Sequence, residues 1–502
     1  MRVTNKMMTN NMLYNINSNK NTLSKLEDQY DTGSKIQKPS DDPIVAVRAL
    51  TLRSNISQLN QYYEKNIPDA LAWMDVTESA LKTTNSILTQ MHTYLVQGTT
   101  DSLTADNRDA IIENLSQLVQ QVYQEGNTDY AGRYVFTGYK TDTSLVFSDD
   151  TTDSKYDITQ NFSADDVTTV QRAVNSVDLS SYDSSNPTAA DLTNKPNQIS
   201  VKRIRLAYDN LMTSSDGGTI NIQIPETDAS GNTTYTAYSG TVNEKLSSDS
   251  DAYEPADGTI TYLSDTGELV LSDSANSEIS TAGGCQITYS KNSFAKNDLR
   301  PEHYFNCTVT DLTGTTDPVT YTKADQDIKY EINFSQSIQI NTQGSDAIQH
   351  AVGRCVDDLQ NAVDDVQECE DKISNIKEQL EDTSLTDDQK STLNSMLDLA
   401  NTEYSIKEEV MQDAFSSSLT EITEQQDVVN VATTDLGARY KRVELTQNRL
   451  SDEQVDFTGL LSDNEDADLA DTIIKYQSQQ VVYNASLSAA AKAVKTTLMD
   501  FL

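Results

Sequence analysis

The chain has 502 residues, 36% of them hydrophobic, and 77 acidic against 37 basic side chains give a formal charge of −40. Acid at this level repels nucleic-acid phosphates and an anionic membrane surface alike, so neither is expected as a partner. No apolar run approaches the roughly 18 residues of a spanning helix, and Met1 to Asn10 hold no apolar signal core, so neither membrane insertion nor a cleaved signal peptide is expected. Cys285, Cys307, Cys355 and Cys369 lack C-x-x-C spacing. They read as buried thiols, with a disulfide between Cys285 and Cys307 left open.

Stepping by four and three residues from Met12 gives Ile16, Asn19, Leu23, Leu26 and Tyr30, the stripe of a coiled-coil helix. It stops at Asp31-Thr-Gly33-Ser. Lys38-Pro39-Ser40-Asp41-Asp42-Pro43 then predicts a helix start, with Asp42 as cap, Asp41 at the positive end of the helix dipole and Pro43 in the first turn. Helical spacing continues to Gly98, about 80 Å if unbroken, and Pro68 predicts either a kink near Ile67 or a second helix beginning there. A further helix spans about Ala105 to Glu125. Interleaved glycines and aromatics from Gly126 to Lys140 suit a hairpin.

From 141 to 341 the period falls to two, as in Thr219–Ile224, Thr259–Leu263, Cys285–Tyr289 and Ile328–Ile332, with turn formers between. The Asp-, Ser- and Thr-rich stretch from Ser148 to Pro196 carries no assignable pattern. Helical spacing returns near Ser345 and runs to Leu380, breaks at Asp382–Asp388, and resumes with a heptad line of Phe415, Ile422, Val429, Leu436, Val443, Leu450 and Phe457. The last stretch repeats the coiled-coil walk through Leu469, Ile473, Tyr476, Gln480, Tyr483, Leu487, Ala490 and Val494. Neither terminal stripe can bury itself alone, so the two are expected to pair. Asn19 and Gln480 each place one amide in the seam, which weakens it and fixes its register.

The fold class that follows is α+β: a folded-back chain whose N- and C-terminal helices pair as a coiled-coil or helical-bundle rod, with an inserted antiparallel β domain. The expected domains are a terminal coiled coil (1–42 and 460–502), a helical rod (43–140 and 342–459, with a helical hairpin insertion near 366–411) and a β-rich domain (141–341). No catalytic constellation stands out. His92, His303 and His350 are scattered, no H-E-x-x-H, phosphate loop or nucleophile elbow occurs, and no acidic run has EF-hand spacing. No enzymatic activity, cofactor or metal is expected.

Several motifs together resemble the bacterial flagellin family. They are Thr32-Gly33 followed by Pro39-Ser40-Asp41-Asp42-Pro43; Gly132-Arg133-Tyr134-Val-Phe136-Thr-Gly138; Gly437-Ala-Arg439; and Ala470–Gln480 with Ala485-Ser-Leu487. Pro-Ser-Asp-Asp-Pro is similar to the hook-associated branch of the family, since filament-forming members usually have Asn-x-Ala-x-Asp-Asp-Ala there. The resemblance implies a structural subunit joining hook to filament, self-associated in a ring of about eleven copies between a hook-side junction protein and filament flagellin. It also implies a coiled coil lining the channel, a β domain facing outward and an extracellular location in the flagellum. Export would use the flagellar type III apparatus, without a cleaved signal peptide and with a cytoplasmic chaperone. The alternatives kept are a filament-forming flagellin, and a surface adhesin or enzyme acting through residues 141–341.

Overall fold

The computed structural model describes residues 5–100, 103, 105–227 and 233–499. Helix α1 (Asn5–Thr32) ends at Gly33, whose φ of +69° is one that a residue with a Cβ adopts only at a cost. Asp42 caps α2 (Pro43–Gln61) by accepting from the Ile44 and Val45 N–H groups at 3.0 and 3.2 Å, with Pro43 in the first turn. Asp41 behaves differently from the expectation. Its carboxylate accepts from the Gln37 and Lys38 N–H groups at 3.0 and 2.9 Å, so it shapes the preceding turn, and those bonds hold its pKa below the ordinary value.

Pro68 has no N–H for the helical ladder, and the structure resolves the expected disturbance as a division. Tyr62–Asn66 form a π-helical turn in which the Ile67 N–H reaches the Tyr62 carbonyl, and α3 (Ile67–Gly98) begins with Pro68 in its first turn. The remaining long helices are α4 (Ala105–Glu125), α7 (Ala351–Leu380), α8 (Asp387–Glu465) and α9 (Leu469–Met499). Phe415, Ile422, Val429, Leu436, Val443 and Leu450 are all buried along α8, and Phe457 is half-buried.

The chain divides into two compact units, Met1–Leu71 with Tyr330–Ile338 and Lys441–Leu502, and Ala72–Lys329 with Gln339–Tyr440. In the larger unit a short hairpin of β1 (Asp129–Tyr130) and β2 (Arg133–Tyr134) precedes two sheets. The six-stranded sheet runs β13 (Val319–Tyr321), β12 (Asn306–Asp311), β3 (Ser154–Ser163), β11 (Gly284–Lys291), β6 (Ile220–Thr227) and β7 (Thr233–Ala237). The five-stranded sheet runs β4 (Thr168–Val174), β5 (Asn197–Arg205), β10 (Glu268–Leu271), β9 (Thr259–Leu263) and β8 (Thr241–Lys245). The insert is antiparallel as expected, and within its two sheets only the β8–β9 pairing is parallel. One core joins Ile158, Ile222 and Ile287 of the first sheet to Ile204, Ile260 and Leu269 of the second, which makes a sandwich. Two short helices, α5 (Asp273–Ala282) and α6 (Pro301–Tyr304), are built into it, and β14 (Lys329–Asn333) pairs with β15 (Gln336–Gln339).

Cys285 lies on β11 opposite Phe162 of β3, whereas Cys307 lies on β12 opposite Ile158 on the far side of the same strand. Two strand spacings of about 4.8 Å and a four-residue offset put the thiols beyond disulfide reach. All four cysteines are buried and free, and burial pushes the Cys285 and Cys307 thiols up to about 12.

The stretch that carried no pattern becomes β3, β4 and a cover over the α7–α8 hairpin. Val177, Leu179, Tyr182 and Leu192 pack on Ile376, Leu393 and Met396. Asp178, Asp183 and Asp191 each accept from the backbone and hydroxyl two residues on, at Ser180, Ser185 and Thr193. Below β5 and β10, Arg203, Arg205 and Arg172 meet Glu268, Asp358 of α7 and Glu421 of α8 in a largely buried ionic plate.

Candidate assembly surfaces

In the smaller unit α1 and α9 pack along each other. The Tyr30 and Tyr476 rings stack at 6.5 Å, and Ser34 bridges Asp466 just beyond the end of α1, so the pair is antiparallel. On α1 the inward stripe is Met12, Ile16, Asn19, Leu23 and Leu26, with Tyr30 at its exposed edge.

On α9 the stripe differs from the sequence expectation. The side chains turned inward are Thr472, Ile473, Tyr476, Gln479, Tyr483, Ser486 and Ala490, so Ile473, Tyr476 and Tyr483 lie in the seam while Leu469, Gln480 and Leu487 do not. Leu469 and Leu487 are 49% and 42% exposed. The amide facing Asn19 belongs to Gln479, whose Nε2 donates to Asn19 Oδ1 at 3.3 Å. Beyond Thr472 and Ile473, which both turn inward, two heptad lines were available beside Tyr476 and Tyr483, one through Gln480 and Leu487 and one through Gln479 and Ser486. Apolarity favours the first, but the antiparallel register set at the Ser34–Asp466 bridge turns the second toward α1. The Val494 side chain lies outside the described residues.

The consequence is a pair with a partly polar seam and apolar residues facing solvent. Ile474 and Val481 are 67% and 68% exposed, and Leu13, Tyr14 and Val482 also stand outside. On α2, Ile44, Val47 and Leu50 are exposed, and Val47 with Leu52 and with Leu460 of α8 borders an open groove. Monomeric surfaces rarely gather so many large apolar side chains without a partner.

The motif between α1 and α2 stitches the two chain ends together. The Gly33 carbonyl accepts from the Ala467 N–H at 2.7 Å, the Lys35 N–H donates to the Glu465 carbonyl at 2.6 Å, and Asn464 Nδ2 donates to the Val45 carbonyl at 3.0 Å. Arg53 reaches Glu465 at 2.8 Å. Pro39 and Ser40 occupy the exposed turn that Asp41 shapes.

The second motif sits in the larger unit. Ala131 and Gly132 take φ of +54° and +77°, the two-residue turn between β1 and β2. This places the Arg133 guanidinium 5.0 Å from the Trp73 ring, itself edge-on to Tyr130, with Tyr134 pairing back to Asp129. Phe136 is fully buried, and its carbonyl accepts from the Gly344 N–H at 2.8 Å. Gly138, at φ +62°, has no room for a Cβ because Gln326 would lie 2.3 Å away. The motif therefore locks an irregular turn onto α3, and it presents no reactive group.

Among the described residues no cluster of His, Cys, Asp or Glu is placed to hold a metal, and no helix is long and apolar enough to cross a membrane. His303 is buried and His350 half-buried: each hydrogen-bonds through Nε2, to the Ser144 carbonyl and the Tyr208 hydroxyl respectively, and loss of hydration lowers their pKa to about 4 and about 3.

Residues 3–141 match the model of the bacterial flagellin N-terminal helical region. A flagellin of Clostridium tyrobutyricum is 33% identical over 128 residues, 26% of this chain and 34% of that protein. Flagellar hook-associated protein 3 of Salmonella typhimurium is 30% identical over 143 residues, 28% of this chain and 45% of that protein. Its counterpart in Escherichia coli is 30% identical over 147 residues, 29% of this chain and 45% of that protein. The matched stretch thus spans less than half the length of these curated relatives. Flagellar hook associated protein-3 of Legionella pneumophila superposes with a TM-score of 0.30 at 14% identity, covering 82% of this chain and 98% of that one. FlgL of Xanthomonas campestris gives 0.32 at 12% identity, covering 81% and 98%.

Beside the paired terminal helices and the stitched Pro-Ser-Asp-Asp-Pro turn, the matched N-terminal region is similar to the bacterial flagellin family. Over much the same region it is similar to flagellar hook-associated protein 3.

Proposed function

We propose that the chain is a structural subunit of the bacterial flagellum, joining the hook to the filament as a ring layer of the axial structure. The observation that carries this is the α1–α9 pair, whose seam is partly polar while Ile474 and Val481 face outward, a surface that adjacent subunits would complete. Burying each such side chain contributes roughly 1.5–3 kcal/mol, so assembly supplies the stability that the isolated pair lacks. The partners in this reading are further copies in a ring of about eleven, a hook-side junction protein and filament flagellin. Export by the flagellar type III route, with a cytoplasmic chaperone and no cleaved signal, belongs to the same reading. So do the terminal coiled-coil, helical-rod and β-rich domains, and a role without catalysis.

The test is removal of residues 469–502 in cells. Hooks should form and filaments should be shed, with the shortened protein still present. Filaments retained at the normal number would count against the proposal. The second reading, a filament-forming flagellin, draws on the Clostridium tyrobutyricum relative. Purified chain that grows long filaments unaided would favour it, and the Pro39–Pro43 turn speaks for the junction role.

A further inference from the structure

Each of the two large sheets has two outer strands, and three of those four edges are protected against pairing with another chain in the usual ways. β13 is three residues long and follows Asp317-Pro318, β4 carries Arg172, and β8 carries Glu244 and Lys245. β7 has none of these devices. Thr233-Thr-Tyr-Thr-Ala237 holds no charge and no proline, its register with β6 is continuous, and the next charged residue along the chain is Glu244. All five residues are exposed, Tyr235 to 45%, so the strand gains almost nothing from burial. A ribbon without a buried face is marginal in water.

The register fixes where its backbone groups point. The Tyr238 N–H donates to the Ile222 carbonyl at 2.9 Å, one step beyond the pair of Gln223 with Ala237. Ladder bonds in an antiparallel pair fall at every second position. Thr236 and Thr234 therefore bond inward to Ile224 and Glu226, while the N–H and C=O of Tyr235 and Ala237 point away from β6. Pro225, which has no N–H to give, stands opposite Tyr235, in agreement with that phase. No described residue bonds the outward groups of Tyr235.

We infer that β7 is a pairing edge for the β7 of a second copy, the two strands running antiparallel about a two-fold axis at Tyr235. The outward groups of Tyr235 fit their own image and would exchange two N–H···O=C bonds with the partner's Tyr235. The strands match in length, and Thr234 faces the partner's Thr236, a favourable cross-strand pair. Charge selects a second copy as well. The chain carries −40 and repels itself, so two copies can approach only along uncharged surface. The terminal helices, already read as surfaces where copies meet, hold similar uncharged runs at 7–19 and 476–491. A two-fold contact is closed, whereas neighbours in a ring meet head to tail. The β7 pair is thus separate from the junction reading and does not rest on it.

The test is sedimentation of the full chain between about 1 and 200 μM. Tyr235→Pro removes the outward N–H at an edge position where proline leaves the β6 ladder intact. Thr234→Lys with Thr236→Lys, and Thr234→Glu with Thr236→Glu, place like charges opposite each other across the pair. The parent chain should show a concentration-dependent dimer. Tyr235→Pro should weaken it roughly tenfold or more, and each doubly charged variant should sediment as a monomer. Mixing the lysine and glutamate variants should restore the dimer, which β7 paired with β7 allows and β7 paired with any other edge does not. A parent chain monomeric at every concentration, association unchanged in all three variants, or a mixture that stays monomeric would overturn the inference. Should Tyr235→Pro fail to fold, the two charged variants decide alone.

Discussion

Replacing Asp358 by alanine tests whether the ionic plate holds the sandwich to the helices beneath it. Asp358 Oδ2 lies 2.6 Å from Arg203 Nη2 and 2.8 Å from Arg205 Nη1, and the three side chains are 14%, 8% and 16% exposed. Removing one partner of a buried ion pair typically costs about 3–5 kcal/mol because a charge is left uncompensated. Here Arg203 keeps Glu268 and Arg205 keeps Glu421, so the cost should fall to about 2–3 kcal/mol. Asp358→Asn, which keeps the shape and part of the hydrogen bonding, should cost about 1–2 kcal/mol.

The pH dependence has a definite sign. The arginines hold the Asp358 carboxyl well below the ordinary carboxylate range. Its stabilisation is therefore complete above the unfolded pKa of about 3.9 and is lost as the pH falls below that value. The difference between parent and Asp358→Asn should be largest near neutrality and should shrink below about pH 4. The assay is urea unfolding followed by fluorescence of Trp73, the single tryptophan, which is buried in the same unit. A loss in Asp358→Ala below about 0.5 kcal/mol, or a difference that does not change with pH, would refute the reasoning.

Gly98→Ala places a Cβ 2.2 Å from Phe415 Cε1, so α3 and α8 must separate at that layer. A loss of about 1–3 kcal/mol in the same unfolding assay is expected, and an unchanged midpoint would show that the layer is loosely packed. Exchanging Ser486 and Leu487 (Ser486→Leu with Leu487→Ser) moves the apolar side chain into the α1–α9 seam. It should raise the helical melting transition of the terminal pair by about 1 kcal/mol, and a fall would show that the seam runs through Leu487 after all. Because the folded pKa values of His350 and His303, about 3 and about 4, lie below the ordinary 6.5, the unfolded state takes up more protons as the pH drops. Their contribution is intact above about pH 6.5 and costs a few kcal/mol by pH 4, partly offset by Asp357, which burial raises to about 6. Urea midpoints at pH 7, 5.5 and 4.5 should fall in that order; a flat series would contradict the lowered histidine pKa values.

The helices were legible because their signals are local. Asp42 with Pro43, Gly33 and the Phe415–Leu450 heptad line each act within one or two turns, and the structure follows them. The α9 seam was not, because the choice between two heptad lines is made by the partner's register, and the more apolar line lost. The cover over the α7–α8 hairpin was half legible: the repeated Asp-x-Ser/Thr spacing at Asp178, Asp183 and Asp191 announces turns, but nothing local says that Leu179 and Leu192 dock on Met396. The ionic plate was hidden in the same way. Arg203 and Arg205 alternate on β5 as any polar strand face would, and only the fold brings Asp358 and Glu421, more than 150 residues later, beneath them.

The central claim is that the terminal helix pair is finished by neighbouring molecules. The most direct measurement places a photo-crosslinking residue at Ile474 or Val481, both outward-facing in one molecule, and irradiates intact flagella. The expected result is covalent adducts between adjacent copies, and between this protein and the hook-side or filament-side subunit, with none from the dissociated protein. Flagella in which both positions give only uncrosslinked monomer would contradict the account.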